Sequence, residues 1–307
     1  MLGYVTDPSA SAGIARRDLP EPQPGPAEAL VEVHAYAVNR GELSLIEQRP
    51  DGWTPGQDVA GVVAAAAADG TGPQVGARVV GIADWGGWSE RVAVPSHRIA
   101  VLPDSVSFAR AAALPVAGLT ALRVLRTGGA LLGRRVLVTG ASGGVGTFAV
   151  QLARAAGALV TAHVSGPSRA DIVTRLGAHE VLTEIGADAG PFDLVADGVG
   201  GQVLTAAVRR LAPGGLATAY GVASGQRSDL AFYDFAAGAP GARLEGFFVY
   251  RTGEQTFGED LALLARLVAD GTLEPQVGKA RDWAQTAEAV SALRSRSATG
   301  KLVLTRG

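Results

Sequence analysis

The sequence predicts an α/β protein, with a doubly wound parallel sheet preceded by a β-rich segment. Three observations carry this. The apolar, β-branched run Arg135–Val138 ends in the glycine-rich stretch Thr139-Gly140-Ala141-Ser142-Gly143-Gly144-Val145-Gly146, and Thr147–Gly157 then has helical spacing and closes on glycine. The strand-then-helix order repeats downstream, as Leu159–Val164 with Arg169–Leu176 and Asp193–Ala196 with Val203–Leu211, before a further strand at Leu216–Tyr220. Such alternation argues for parallel strands with helical crossovers. Before Gly118, by contrast, short strands are separated by Gly- and Pro-containing turns, the pattern of a small barrel-like domain.

In order along the chain, Pro20 to Pro26 is a proline-rich connection. Ala29–Tyr36 alternates Leu30, Glu32 and His34 against Val31, Val33 and Ala35, the period of a half-buried strand. Val59–Ala68 and Arg78–Ile82 are strands on either side of the Asp69–Pro73 turn, and Trp88–Val94 is another. Ser107–Leu114 and Gly118–Arg126 have helical spacing. A last sheet strand is expected at Leu244–Tyr250, helices at Glu259–Asp270 and Ala284–Arg294, and a terminal strand at Lys301–Thr305.

At 307 residues the chain accommodates two domains, and with 47% hydrophobic against 18% charged residues it can bury a sizeable core. A net charge of −2 without a basic block argues against nucleic acid or an anionic membrane as partner. The first residues lack a charged segment followed by an apolar one, and no uncharged apolar run reaches spanning length, so the cytoplasm is the expected location. With no cysteine, disulfides and thiolate metal sites are excluded. The four histidines, His34, His97, His163 and His179, show no spacing that suggests a shared metal.

The glycine stretch is the first functional candidate. A strand, tight turn and helix N-terminus lets backbone N–H groups approach a pyrophosphate. Ser142, Gly143, Gly144 and Val145 are the expected donors. Short-chain dehydrogenases carry a similar stretch, but begin with it and need a Tyr-x-x-x-Lys pair. Here the stretch lies deep in the chain, and none of Tyr220, Tyr233 and Tyr250 has a Lys four residues on.

Several motifs in order extend the reading: Pro55-Gly56-Gln57-Asp58-Val59-Ala60-Gly61, Val75–Val79, Ala111–Pro115, Gly118-Leu119-Thr120-Ala121, the glycine stretch, Asp197-Gly198-Val199-Gly200-Gly201 and Gly300-Lys301-Leu302-Val303-Leu304. Nearly end to end, the chain resembles the zinc-independent quinone oxidoreductase branch of the medium-chain dehydrogenase/reductase superfamily, including its enoyl reductase-like members. The resemblance implies a GroES-like catalytic domain (residues 1–118), a Rossmann-type nucleotide-binding domain (119–252) and a C-terminal return to the first domain (253–307). It implies NADPH as cofactor, a small quinone or α,β-unsaturated carbonyl compound as substrate, and a homodimer. An enoyl reductase of a biosynthetic pathway, or a catalytically weak NADPH-binding structural or regulatory protein, is the alternative.

The same resemblance assigns residues. Asn39 falls where relatives place an Asn beside the nicotinamide, although by type alone it reads equally as a turn former. Glu42, three residues on, matches a position often held by Asp, and by type alone it is a solvated or helix-capping acid. The tyrosine some relatives carry five residues after the Asn is here Ser44. Thr120 approaches the nicotinamide in relatives, and reads otherwise as a helix-start hydroxyl. Between Val164 and Arg169 there is no Asp or Glu to bind a ribose 2′-OH, so Ser165 and Arg169 are expected to hold a 2′-phosphate. Gly221, Phe247, Phe248 and Val249 are expected along the cofactor. Trp53, Trp85 and Trp88 either wall a flat substrate or fill the core. No zinc is expected: metal-dependent relatives need a Cys near Asn39–Gly41 and a His near Gln57.

Overall fold

A computed structural model describes residues 1–236, 239–278 and 280–306. The chain divides into one unit of Met1–Leu119 with Gly253–Gly307 and another of Thr120–Thr252. In chain order the elements of the first stretch are β1 (Leu2–Thr6), β2 (Ile14–Asp18), β3 (Glu28–Val38), α1 (Arg40–Gln48), β4 (Asp58–Ala65), β5 (Arg78–Ile82), β6 (Arg91–Pro95), β7 (Ile99–Val101), α2 (Phe108–Ala112) and α3 (Pro115–Thr127). Then come β8 (Arg135–Val138), α4 (Gly144–Ala155), β9 (Leu159–His163), α5 (Ala170–Arg175), β10 (Glu180–Leu182), β11 (Phe192–Asp197), α6 (Gly201–Val208), β12 (Leu211–Ala219), α7 (Phe232–Ala236) and β13 (Arg243–Gly246). The chain ends with α8 (Phe257–Ala269), β14 (Arg281–Asp282), α9 (Thr286–Arg294) and β15 (Leu302–Thr305).

The first unit is built on β3. Its alternation puts Val31 and Val33 into a core with Val59, Val63, Val92 and Val94, while Leu30, Glu32 and His34 stay partly exposed. Each such valine contributes about 1.5–3 kcal/mol on burial. From Ala35 to Val38 the alternation stops and every residue is buried; here β15 takes the place of β6 beside β3, and α2 and α9 pack against the strand. The sheet order is β14-β15-β3-β4-β5-β7, with β6 also on β3. The C-terminal segment is keyed in by the Tyr36 hydroxyl against Thr286 Oγ1 at 2.6 Å and the Tyr4 hydroxyl donating to the Trp283 carbonyl at 2.8 Å.

The second unit is a six-stranded, all-parallel sheet ordered β10-β9-β8-β11-β12-β13. Its central strands β8 and β11 are largely buried apolar runs, as a sheet covered on both faces requires, with Leu137, Val195 and Ala217 packed against Leu204 and Val208 of α6. The strand order reverses between β8 and β11. Ligands of open α/β sheets bind outside the carboxyl ends of the strands at such a reversal.

Several expected boundaries are corrected. The last sheet strand stops at Gly246. Phe247 donates one more ladder bond, to the Ala219 carbonyl at 2.8 Å, and Val249–Arg251 then forms a 3₁₀ turn, so Phe248 and Val249 are not strand residues. Leu211 opens β12 rather than closing a helix, since an apolar residue at an element's end fits either period. Trp88 precedes β6 in a turn. The hairpin β1–β2 and helix α1 are additions to the expected elements; α1 is short, although Asn39 and Glu42 have the spacing of a capping box.

Candidate nucleotide turn and buried polar cluster

In the second unit the glycine stretch leaves β8 through Gly140, whose φ of +60° is in the left-handed region, and enters α4 at Gly144. The Ala141 N–H donates to the His163 carbonyl at 3.0 Å, tying the turn to the neighbouring strand. A Cβ on Gly146 would overlap the Gly140 carbonyl oxygen and lie 2.6 Å from Ala141 Cα, so only glycine lets the helix start this close to the strand. The first N–H groups of α4 have no intrahelical acceptor, and they carry the positive end of the helix dipole. Ser142, Gly144 and Val145 lie at this end. The Gly143 N–H is turned back onto the Gly140 carbonyl at 2.9 Å, so Gly143 offers close approach rather than a donor.

Around this turn, Asp197 closes β11. It accepts from Thr139 Oγ1 at 2.5 Å and from the Gly200 N–H at 2.9 Å, and burial pushes its carboxyl above the usual range. This clamps the Asp197–Gly201 loop to the end of β8. Gly221 is exposed just past β12 and packs against the Gly198 carbonyl. After β9, Ser165 is exposed and Arg169 half-buried, with Arg169 closing the 3₁₀ turn Pro167–Arg169 ahead of α5. Phe247 is half-buried, Val249 buried, and Phe248 61% exposed against Tyr250. Thr120, in α3, is buried.

In the first unit, strand register assembles a second site. Val38 pairs with Leu302 and Ala37 with Asp58. The residue after β3, Asn39, therefore falls between the residue before β15, Lys301, and the first residue of β4, Asp58. All three are nearly inaccessible, at 9%, 4% and 0% exposed. Lys301 Nζ donates to Asn39 Oδ1 at 2.6 Å and to Asp58 Oδ2 at 2.8 Å, and Asn39 Nδ2 donates to Asp58 Oδ2 at 3.0 Å. The Val116 N–H, in the first turn of α3, donates to Asp58 Oδ1 at 2.8 Å.

Glu42 completes the cluster from inside α1. Asn39 is the N-cap of that helix, and its N–H donates to Glu42 Oε2 at 2.7 Å, while the Gln57 N–H donates to Oε1 at 3.1 Å. The carboxyl is fully buried. Burial and the nearby Asp58 carboxylate push its pKa up to about 8, against the opposing pull of the two backbone N–H groups and Lys301.

Sequence reasoning named Asn39 and Glu42, and the structure brings them together. It missed Asp58 and Lys301 as site residues, although both stood inside quoted motifs. A usable signal existed: among 27 basic residues only Lys279 and Lys301 are lysine. The remaining candidates fall elsewhere. Trp88 is fully buried and belongs to the core, whereas Trp53 and Trp85 pack edge to face at 4.9 Å. Among the described residues, no group of three or more His, Cys, Asp or Glu is placed to hold a metal, and no helix is long and apolar enough to cross a membrane.

Comparison with known proteins agrees with this architecture. The alcohol dehydrogenase GroES-like domain model matches residues 25–104, and a model described as zinc-binding dehydrogenase matches 172–304. A spectinabilin polyketide synthase system protein of Streptomyces orinoci is 35% identical over 293 residues, 91% of this chain but 13% of that protein; the chain thus spans a small part of this relative. The quinone oxidoreductase of Sus scrofa is 28% identical over 305 residues, covering 94% of this chain and 92% of the relative. The solved structure of a mycobacterial protein complexed with NADPH superposes with a TM-score of 0.87 at 28% identity, covering 99% of this chain and 100% of that one. The chain belongs to the medium-chain dehydrogenase/reductase superfamily. Within it, the chain falls in the quinone oxidoreductase branch.

Proposed function

We propose that this chain is an NADPH-dependent, zinc-independent reductase of quinones or α,β-unsaturated carbonyl compounds, with Thr120–Thr252 as the nucleotide-binding domain and the remainder as the catalytic one. The observation that carries the reading is the tight turn from Gly140 to Gly146, where the absence of a Cβ at Gly146 lets α4 start directly against the end of β8. That geometry fits a pyrophosphate, and the mycobacterial relative was solved with NADPH. Ser142, Gly144 and Val145 would supply N–H donors, with Gly221, Phe247, Phe248 and Val249 along the dinucleotide. Ser165 and Arg169 would take the 2′-phosphate, since no acid stands at the end of β9 to bind a ribose hydroxyl.

When bound, the dihydronicotinamide supplies a hydride. Addition of hydride to a quinone or enone places negative charge on the substrate oxygen, so the protein has to supply a hydrogen-bond donor more than a nucleophile. Asn39 Nδ2 spends one hydrogen on Asp58 and has a second for this oxygen; Thr120 is the other donor proposed. Glu42 is fully buried and both its oxygens accept backbone N–H groups, so it holds Asn39 in place. Zinc independence is supported by the donor set: the chain has no cysteine, and Lys301 puts a cation of its own against Asn39 and Asp58. We include a homodimer in this reading, supported by β13 lying at the edge of the parallel sheet. The match to a polyketide synthase protein favours an enoyl thioester as the enone in the second reading, an enoyl reductase of a biosynthetic pathway.

The experiment is NADPH oxidation with a panel of small quinones, enones and enoyl thioesters, run on wild type and Asn39→Ala. The expected result is turnover that Asn39→Ala slows by roughly tenfold to a thousandfold, the scale of losing an oxyanion donor. NADPH binding without oxidation of any substrate would favour a structural or regulatory role, and stoichiometric zinc with activity lost to a chelator would overturn zinc independence.

A further inference from the structure

Lysine is rare in this chain, and the lysine at 301 is buried. Arginine fills every other basic position except 279, yet Lys301 is 4% exposed, and lysines are almost never buried without a partner that requires them. Its backbone is held to a fixed place. The Lys301 N–H donates to the Gln276 carbonyl at 2.9 Å. Gly300 before it has φ +70°, and a Cβ there would overlap that same carbonyl. Glycine at 300 thus lets the chain come close enough for Lys301 to enter the cluster.

The ammonium then meets two acceptors with one atom, Asn39 Oδ1 at 2.6 Å and Asp58 Oδ2 at 2.8 Å. We infer that Lys301 is a positioning residue for Asn39: with Asp58 it locks the asparagine amide in one of its two orientations, the one in which Nδ2 keeps a hydrogen for the substrate oxygen. A half-turn of the amide would put its NH₂ against the ammonium, donor to donor, and its oxygen against the carboxylate, acceptor to acceptor. The cation on one side and the anion on the other thus both forbid the flip. The Asn39 main chain is fixed as well, through its N–H on Glu42 Oε2. A compact ammonium suits this arrangement, because it serves two acceptors from a single point, whereas a guanidinium presents its donors as a planar fork.

The inference rests on the reading that Asn39 donates to the substrate oxygen, and the test separates the two. Lys301→Met alone would leave Asp58 buried without its counter-charge, so the informative variant is the charge-balanced pair Lys301→Met with Asp58→Asn. In it an amide faces an amide, and Asn39 is free to take either orientation. Hydride transfer is followed by stopped-flow NADPH absorbance with 1,4-naphthoquinone in four proteins: wild type, Asn39→Ala, the balanced pair, and the pair combined with Asn39→Ala. The pair is expected to lower kcat by roughly tenfold to a hundredfold while the NADPH dissociation constant, read by fluorescence, stays unchanged. In the Asn39→Ala background the pair should cost nothing further, which a merely structural role would not produce. Lys301→Arg keeps the charge and is expected to slow kcat in the same way. A slow Asn39→Ala protein beside a full-rate pair or a full-rate Lys301→Arg protein would overturn the positioning role, as would slowing that simply adds in the Asn39→Ala background. An Asn39→Ala protein at full rate would overturn the donor reading itself, and the inference with it.

Discussion

The two units build their functional groups in opposite ways. In Thr120–Thr252 the candidate site is made of backbone N–H groups from one continuous stretch, Gly140–Gly146, and side chains there mainly need to be small. In the first unit it is made of side chains from three distant segments, Asn39 with Glu42, Asp58, and Lys301, all of them buried. The first kind of site tolerates change wherever a Cβ has room. The second depends on strand register, because a one-residue slip of β15 against β3 would turn Lys301 to the other face of the sheet.

The largest expected effect tests the backbone site. Gly146→Val puts a side chain where even a Cβ overlaps the turn. NADPH affinity should fall by roughly a hundredfold or more, since two charge-assisted bonds at about 1.5–3 kcal/mol each would be lost. Unchanged affinity by isothermal titration would mean that the turn is not the pyrophosphate site. Lys301→Met tests the side-chain site next. Removing one partner of a buried ion pair costs about 3–5 kcal/mol, a fall in Tm on the order of 10 °C. Adding Asp58→Asn should recover most of it. If the single variant melted like wild type, the pair would not be a structural element of the first unit.

Arg169→Ala sharpens the comparison, because Arg169 is the charged side chain proposed to recognise the cofactor in a unit whose pyrophosphate turn uses backbone. Loss of a charge-assisted contact to a 2′-phosphate is worth about 1.5–3 kcal/mol, or roughly tenfold to a hundredfold in affinity. NADPH binding should weaken by that factor while NADH binding stays level. Equal loss for both nucleotides would assign Arg169 to something other than the 2′-phosphate.

What could be read in advance follows the same division. The parallel sheet, its glycine turn and the helix after it were legible because strand, turn and helix are adjacent in sequence and each has its own residue signature. The alternation of Val31, Val33 and Ala35 gave β3 for the same reason. The buried cluster was only half legible. Asn39 and Glu42 stand within one turn of α1, but Asp58 and Lys301 reach them through two strand pairings that no local pattern specifies. Phe247–Tyr250 misled for a different reason. A run of aromatic and β-branched residues favours a strand, yet the chain leaves the sheet at Gly246 and turns, with Phe248 exposed and Val249 buried.

The smallest expected effect concerns Glu42, and its sign is set by the direction of its pKa. The buried carboxyl holds its proton up to about pH 8, against an ordinary value of 4.5. Below 4.5 both the folded and unfolded chains bind this proton, and Glu42 makes stability no more pH-dependent. Between 4.5 and 8 the unfolded chain releases it and the folded one does not, so stability falls as pH rises, by at most about 1.4 kcal/mol per unit. Above 8 both forms are ionised and the decline stops. Glu42→Gln removes this titration, but its NH₂ must face one of the two N–H groups of Asn39 and Gln57, leaving a buried donor unpaired at about 1–3 kcal/mol. The variant should therefore gain on wild type by up to about 3 kcal/mol between pH 5.5 and 8.5, enough to close or reverse its deficit. Urea midpoints across that range measure it, and parallel curves would show that Glu42 does not titrate there. Its kcat should change little, because a carboxyl with no exposed surface and both oxygens on the backbone orients Asn39 rather than passing a proton to substrate. Loss of turnover in a folded, NADPH-binding Glu42→Gln protein would reverse that assignment and make Glu42 the acid that protonates the product.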